Sequence, residues 1–99
     1  MAQFDFYQQR GVPGYWLDCQ AELLSGIATR LVVPLVPRDT APKPVRQLNP
    51  IFDIGDEQFA MLTQQAGPIP VEELRLPAGS LAKFRYEIIN AFDFLITGV

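Results

Sequence analysis

The spacing of apolar residues changes at Leu81, and this change restricts the fold more than any other feature. Before it, apolar residues alternate with polar ones or form short β-branched runs, as in strands. From there on, apolar residues recur at helical intervals: Leu81, Phe84, Ile88, Ala91, Phe92 and Leu95. Ser80 is placed to cap this helix and Gly98 to stop it. The sequence predicts a strand-rich chain ending in one helix of roughly 15 residues.

The first two strands are predicted to form a hairpin. In the stretch QFDFYQ, Phe4 and Phe6 alternate with Asp5 and Tyr7, which indicates a strand with one buried face. Glycines and a proline in residues 11–14 then favour a turn. The following stretch, YWLDCQAELL, is predicted to be the second strand.

The third strand is predicted over Thr29 to Val36, which is β-branched and nearly continuous in apolar residues. Such a run is typical of a strand that is buried on both faces. Pro34 lies inside it and cannot donate a backbone hydrogen bond, so we expect a sheet edge, a bulge or a bend there. Four prolines in residues 37–50 then predict a long, stiffened loop.

A second hairpin is predicted from Ile51–Ile54 and Gln58–Gln64, with Gly55 to Glu57 as the turn. The stretch IPVEEL gives one more short extended segment. The whole pattern predicts a single domain, residues 1–99, of α+β and mostly β class. We expect a small twisted sheet or partly closed barrel of five or six strands with the helix packed against it.

Composition and charge exclude several classes of protein. Hydrophobic residues make up 48% of the 99 residues, so the chain can form a core. The net charge of −3 argues against non-specific nucleic-acid binding. The longest apolar-rich stretch, Ile88 to Val99, is too short and too polar to span a bilayer. One cysteine and an N-terminus unlike a signal peptide predict a cytoplasmic protein.

No catalytic or metal-binding pattern is present. The chain has no histidine and a single cysteine, Cys19, so we expect no catalytic site, no metal site and no cofactor. The neighbouring acids Asp56–Glu57 and Glu72–Glu73 point in different directions and are interpreted as solvated turn residues. From the residues alone, we expect a protein that is not an enzyme and acts by contact.

Three other features each have two interpretations. Arg30 could bind a phosphate or form an ion pair that anchors a loop. Cys19 could be a reactive thiol or a small core residue. Tyr15 and Trp16 could form a binding platform or pack, half-buried, on the sheet. In each case the second, structural interpretation is the more frequent one in proteins.

The order of several motifs resembles the CcdB family, the toxins of bacterial toxin–antitoxin modules. These motifs are QFDFY, YWLDCQAELL, RLVVPL, IGDE followed by MLT, and INAF with GV at the end. They cover nearly the whole chain. The resemblance implies an SH3-like barrel of the CcdB and MazF type with a C-terminal helix, and a symmetric homodimer. It also implies a toxin that binds the A subunit of DNA gyrase and traps the cleaved DNA complex. A disordered, CcdA-like antitoxin is expected to neutralise it. We expect the chain itself to bind neither nucleic acid nor a membrane directly.

The family contacts gyrase through a Trp-Gly-Ile terminus at the end of the C-terminal helix. By resemblance, Gly98 and Val99 match the last two positions, and Thr97 stands in place of the tryptophan. The resemblance also assigns to the gyrase-binding surface the apolar pair Leu23 and Leu24, and Asp93.

The threonine at position 97 leaves three hypotheses for the function. The first is a gyrase poison with altered contacts. The second is a CcdB-like protein that dimerises and binds an antitoxin but has lost or changed gyrase poisoning. The third, ranked last, is a ribonuclease of the MazF type, for which Arg30 is the only suggestive cation.

Overall fold

A computed structural model describes residues 2–98 of the chain. Within them lie seven antiparallel strands and one α-helix: β1 (Asp5–Gln8), β2 (Tyr15–Asp18), β3 (Thr29–Pro37), β4 (Ile51–Ile54), β5 (Glu57–Met61), β6 (Gly67–Pro70), β7 (Gly79–Ser80) and α1 (Arg85–Thr97). The sheet runs β4-β5-β3-β2-β1-β7, and β6 also pairs with β3. The predicted fold, a small, mostly β, partly closed barrel with a C-terminal helix, is confirmed. The structure has seven strands where five or six were predicted, because β7 has two residues, too few to give a sequence pattern.

Strand β3 organises the sheet because it pairs with three other strands. One edge binds β2, while the other edge binds β6 over residues 29–32 and β5 over residues 35–37. Pro34 lies in the gap between these last two partners, and its carbonyl accepts a hydrogen bond from the Leu62 N–H at 3.0 Å. The missing N–H of Pro34 therefore falls at a local edge in the middle of the sheet, one of the settings predicted for it.

The main core lies between the inner face of the curled sheet and α1. It is built around Phe6, Leu17, Val33 and Leu35 from the sheet, with Ile88 and Ala91 from the helix. Tyr15 joins the sheet's aromatic residues, with its ring 4.9 Å from that of Phe6 and 5.2 Å from that of Phe59, both edge-on. Such contacts stabilise the fold beyond the burial of apolar area, so Tyr15 has a structural role.

A second, smaller cluster covers the outer face of the sheet. Tyr7, Val32 and Leu74 form it, with Trp16 and Ile69 packed against them. The prediction that β1 has only one buried face was therefore wrong, since Tyr7 is 2% exposed. Strand β6 and the segment after it cover this face, and the alternation within β1 carries no information about such a cover.

Three predicted strand boundaries were also wrong. Strand β2 ends at Asp18 instead of continuing through Leu24, and residues Glu22–Leu24 form a short 3-10 turn. In the second hairpin, Ile54 pairs directly with Glu57, so the turn has two residues. Strand β5 then ends at Met61, short of the predicted Gln64. Strand patterns extend too far where apolar residues continue into turns.

The helix begins later than the pattern indicates. A 3-10 turn, Ala82–Phe84, precedes α1, and the Ser80 hydroxyl accepts a hydrogen bond from the Ala82 N–H at 3.1 Å. The N-cap residues are Leu81 for this turn and Phe84 for α1, so the prediction that Ser80 caps the helix was wrong. Residues 38–50 contain neither helix nor strand, as their prolines predicted. Among residues 2–98, no helix has the length and apolar character needed to cross a membrane.

Candidate protein-binding site

The last turn of α1 carries apolar side chains that the fold does not bury. Leu95 is 43% exposed and Ile96 is 78% exposed. The prediction that Leu95 belongs to the buried stripe was wrong, because the helix extends beyond the part that packs on the sheet. Gly98 ends the helix as predicted, in the left-handed conformation at φ 76°, with its N–H donating to the Phe94 carbonyl at 2.8 Å. We call Leu95, Ile96, Thr97 and Gly98 the helix tip.

Thr97 is fixed within the helix tip by its own side chain. Its hydroxyl donates a hydrogen bond to the Asp93 carbonyl, one turn earlier, at 2.7 Å. This bond orients the threonine side chain along the helix. Asp93, assigned to the same surface by resemblance, is exposed on α1. Val99 lies outside the described residues.

The second predicted contact site, Leu23 and Leu24, lies in the Glu22–Leu24 turn. Leu23 is 94% exposed and Leu24 is 48% exposed. Polar contacts hold this turn: the Gln20 side-chain amide donates to the Leu24 carbonyl at 2.9 Å, and Glu22 Oε1 accepts from the Gln3 N–H at 3.0 Å. The turn thus presents two leucines to solvent from a hydrogen-bonded support.

A buried ion pair anchors the beginning of this turn. Arg30 donates to the Asp18 carboxylate from Nε at 2.9 Å and from Nη2 at 2.8 Å, with exposures of 1% and 0%. The other oxygen of Asp18 accepts from the Gln20 N–H at 3.1 Å, and Arg30 Nη2 donates to the Gln20 carbonyl at 3.3 Å. The interpretation of Arg30 as a loop-anchoring ion pair is confirmed. Arg30, the one cation that suggested a ribonuclease, is thus buried and paired with a carboxylate.

The structure places the two sites at different ends of α1. The Gln3 side chain accepts a hydrogen bond from Arg85 Nη1 at 3.0 Å, and its backbone N–H binds Glu22. The Glu22–Leu24 turn is therefore linked to the first turn of α1. Thr97 lies about 18 Å further along the axis, at about 1.5 Å per residue. Sequence reasoning singled out neither Gln3 nor Arg85 as the link, since they are 82 positions apart.

The remaining candidate residues are Cys19 and the two acidic pairs. Cys19 packs against the main core, and its burial, together with the nearby Asp18 carboxylate, raises the pKa of its thiol far above the usual range. A protonated thiol is a poor nucleophile, which favours the interpretation as a core residue. Both acidic pairs are exposed. Among residues 2–98 there is no group of three or more metal-ligating side chains.

The fold and the site together define a class of protein: a curled antiparallel half-barrel whose C-terminal helix ends in an exposed apolar turn. A family model described as "CcdB protein" matches residues 3–98. The chain therefore belongs to the CcdB family. At the level of the family, this membership implies the toxin of a toxin–antitoxin system and a gyrase poison.

Proposed function

We propose that this chain is a toxin that binds the A subunit of DNA gyrase through its helix tip and traps the cleaved DNA complex. One observation carries the proposal: two large apolar side chains, Leu95 and Ile96, stay exposed directly before residues 97–99, the positions that the resemblance assigns to the gyrase contact. Exposed apolar groups gain free energy when a partner buries them, about 1.5–3 kcal/mol for a whole side chain. Neither residue is needed to complete the core.

Thr97 supports a second candidate function. A tryptophan at this position would supply a large stacking surface, whereas threonine supplies a methyl group and a hydroxyl that already binds the Asp93 carbonyl. Loss of an aromatic anchor commonly weakens binding by about 2 kcal/mol, roughly thirtyfold. The alternative is thus a CcdB-like protein that dimerises and binds its antitoxin but poisons gyrase weakly or not at all.

The proposed partners are a second copy of the chain, the gyrase A subunit and a CcdA-like antitoxin that is disordered when free. A second copy is what the resemblance to the CcdB family implies, and a symmetric dimer would present two copies of each apolar site. Light scattering after size exclusion should give about twice the chain mass of 11.1 kDa. A mass near 11.1 kDa at high concentration would contradict the dimer.

We propose that the protein is not an enzyme and acts in the cytoplasm, the compartment that contains gyrase. Its effect on gyrase would come from contact alone. Incubation of purified protein with a bare RNA tests the ribonuclease alternative: cleavage that Arg30→Ala abolishes, in a variant shown to be folded, would support that alternative instead.

The direct test is a supercoiling and DNA-cleavage assay with purified gyrase. We expect inhibition and trapped cleavage at micromolar protein, and loss of both when Gly98 and Val99 are deleted. The deletion should leave the dimer intact, because the tip lies beyond the buried stripe of α1. No inhibition and no trapped cleavage by the full chain would reject gyrase poisoning and favour the second candidate. Unfolding or monomerisation of the deletion variant would show that the tip is structural.

A further inference from the structure

A cavity of about 290 Å³ opens on the outer face of the sheet, on the side opposite α1. Tyr7 and Trp16 form its apolar wall, and Arg10 and Arg75 approach it from the first hairpin turn and from the segment before β7. Gln8, Glu73 and Leu76 complete the lining. The helix tip lies on the other layer of the fold, so the proposed gyrase contact leaves this cavity unexplained.

The Tyr7 hydroxyl is a polar group without a partner. Tyr7 is 2% exposed, and among residues 2–98 its hydroxyl is the one buried side-chain oxygen or nitrogen that has no hydrogen bond. Burial, with the Asp5 and Asp18 carboxylates nearby, raises the pKa of Tyr7, so its hydroxyl keeps its proton and can donate. Buried hydroxyls are almost always paired, and a group of a bound ligand would pair this one.

The lining of the cavity is positive, although the chain as a whole carries a net charge of −3. This lining holds two arginines and one glutamate, Glu73, so the lining residues carry a net charge of +1. The Arg30–Asp18 bond is the one ion pair within residues 2–98, so Arg10 and Arg75 are both available to an external anion. Guanidinium groups bind carboxylates through paired, charge-assisted hydrogen bonds.

We propose that this cavity binds a carboxylate that carries a small apolar or planar group. The anion lies against Arg10 and Arg75, the Tyr7 hydroxyl donates to it, and the apolar group packs on Trp16. The cavity is at the lower end of the size range of ligand pockets, which suits a small acid or one acidic side chain of a peptide. A free small acid and an acidic side chain of a peptide would both supply the carboxylate.

Trp16 is the only tryptophan, so its fluorescence reports directly on the cavity. The first probe is benzoate, compared with benzamide, which has the same shape without the charge. We expect a saturable fluorescence change with benzoate, at a dissociation constant of about 1 mM or lower, and none with benzamide. A second pair, acetyl-Leu-Glu-Leu-amide and its Gln counterpart, shows whether a peptide-borne carboxylate binds more tightly than a free one.

The variants Arg10→Gln and Arg75→Gln should each weaken benzoate binding about tenfold or more, since each removes a charge-assisted contact. Arg46→Gln is the matched control, because Arg46 is an exposed arginine outside the cavity lining. Tyr7→Phe should weaken binding several-fold without lowering the unfolding temperature, because the hydroxyl has no protein partner to lose. Circular dichroism confirms that each variant is folded.

Three results would overturn the proposal: no saturable response to benzoate, an equal response to benzamide, or equal affinities in the cavity variants and Arg46→Gln. Each is independent of gyrase. The supercoiling assay on the cavity variants separates the two proposals, because these substitutions should leave trapping of the cleaved complex unchanged.

Discussion

The two exposed apolar sites are held in place by different physical means. The helix tip is held in place because it continues a helix whose earlier residues, Ile88 and Ala91, are fully buried in the core. The Glu22–Leu24 turn has no buried residue of its own. It depends on polar contacts that end in the buried Asp18–Arg30 pair.

This difference teaches how a small fold can expose apolar residues without losing its shape. At the helix tip, the exposed residues and the buried ones share one regular element, so the support is apolar. At the Glu22–Leu24 turn the support is electrostatic, and it fails if either charge loses its partner. The two sites should therefore respond to different substitutions.

The largest effect is expected at the buried ion pair. Arg30→Met leaves the Asp18 carboxylate buried and unpaired, which should lower the free energy of unfolding by about 3–5 kcal/mol. Urea denaturation measures this. The double variant Asp18→Leu with Arg30→Met should recover much of the loss, because no uncompensated charge remains. Arg46→Met is the control on an exposed arginine, and an equal loss there would contradict the role of the pair.

The next-largest effect is expected from one substitution, isoleucine to alanine, made near each end of α1. Ile88→Ala removes a fully buried side chain and should lower the free energy of unfolding by about 2–5 kcal/mol. Ile96→Ala changes a residue that is 78% exposed and should alter it by less than about 0.5 kcal/mol. Thermal and urea unfolding of both variants measure the difference. Similar losses at the two positions would show that the helix tip is part of the core.

An aromatic side chain introduced at the helix tip should change the affinity for gyrase and leave the stability of the fold unchanged. Thr97→Trp should strengthen the interaction with gyrase by about 2 kcal/mol, roughly thirtyfold, with an unchanged unfolding temperature. Titration of trapped cleavage complex against protein concentration measures this, and Thr97→Val controls for loss of the hydroxyl bond to Asp93. If Thr97→Trp did not improve trapping, the threonine would not be what limits the contact.

The smallest effect is expected at the link between the Glu22–Leu24 turn and α1. Gln3→Ala removes side-chain hydrogen bonds to the Cys19 carbonyl and Arg85, and should lower the free energy of unfolding by about 1 kcal/mol. Amide exchange at Leu24 and Ser25 should become faster, since both N–H groups bond within the turn. Gln65→Ala, on an exposed glutamine elsewhere, is the control. Unchanged exchange in Gln3→Ala would show that Gln3 does not steady the turn.

Local signals made part of this structure predictable. The helix follows from apolar spacing, and its end follows from Gly98, because both depend on residues that are close in sequence. Leu95 was placed on the buried stripe because spacing gives the angle around the helix. Spacing does not say where the sheet beneath the helix ends.

The features that could not be predicted depend on contacts between residues that are far apart in the sequence. Tyr7 is buried because β6 pairs with β3 and brings the following segment over the outer face, a contact between distant parts of the chain. The Glu22–Leu24 turn leaves the strand pattern because Arg30 binds Asp18 and Gln20 across a gap of 10 or more residues. The resemblance pointed to Leu23, Leu24 and Thr97. The distance between the Glu22–Leu24 turn and Thr97 follows from the contacts of Gln3 with Glu22 and Arg85, which the sequence does not show.

The central claim is that the apolar residues of the helix tip are retained for a partner and not for the fold. Ile96→Ser tests it in one gyrase cleavage assay, with thermal unfolding recorded on the same preparation. The account predicts a loss of trapped cleavage complex with an unfolding temperature equal to that of the unchanged protein. Full trapping by Ile96→Ser, or a clear fall in its unfolding temperature, would contradict it.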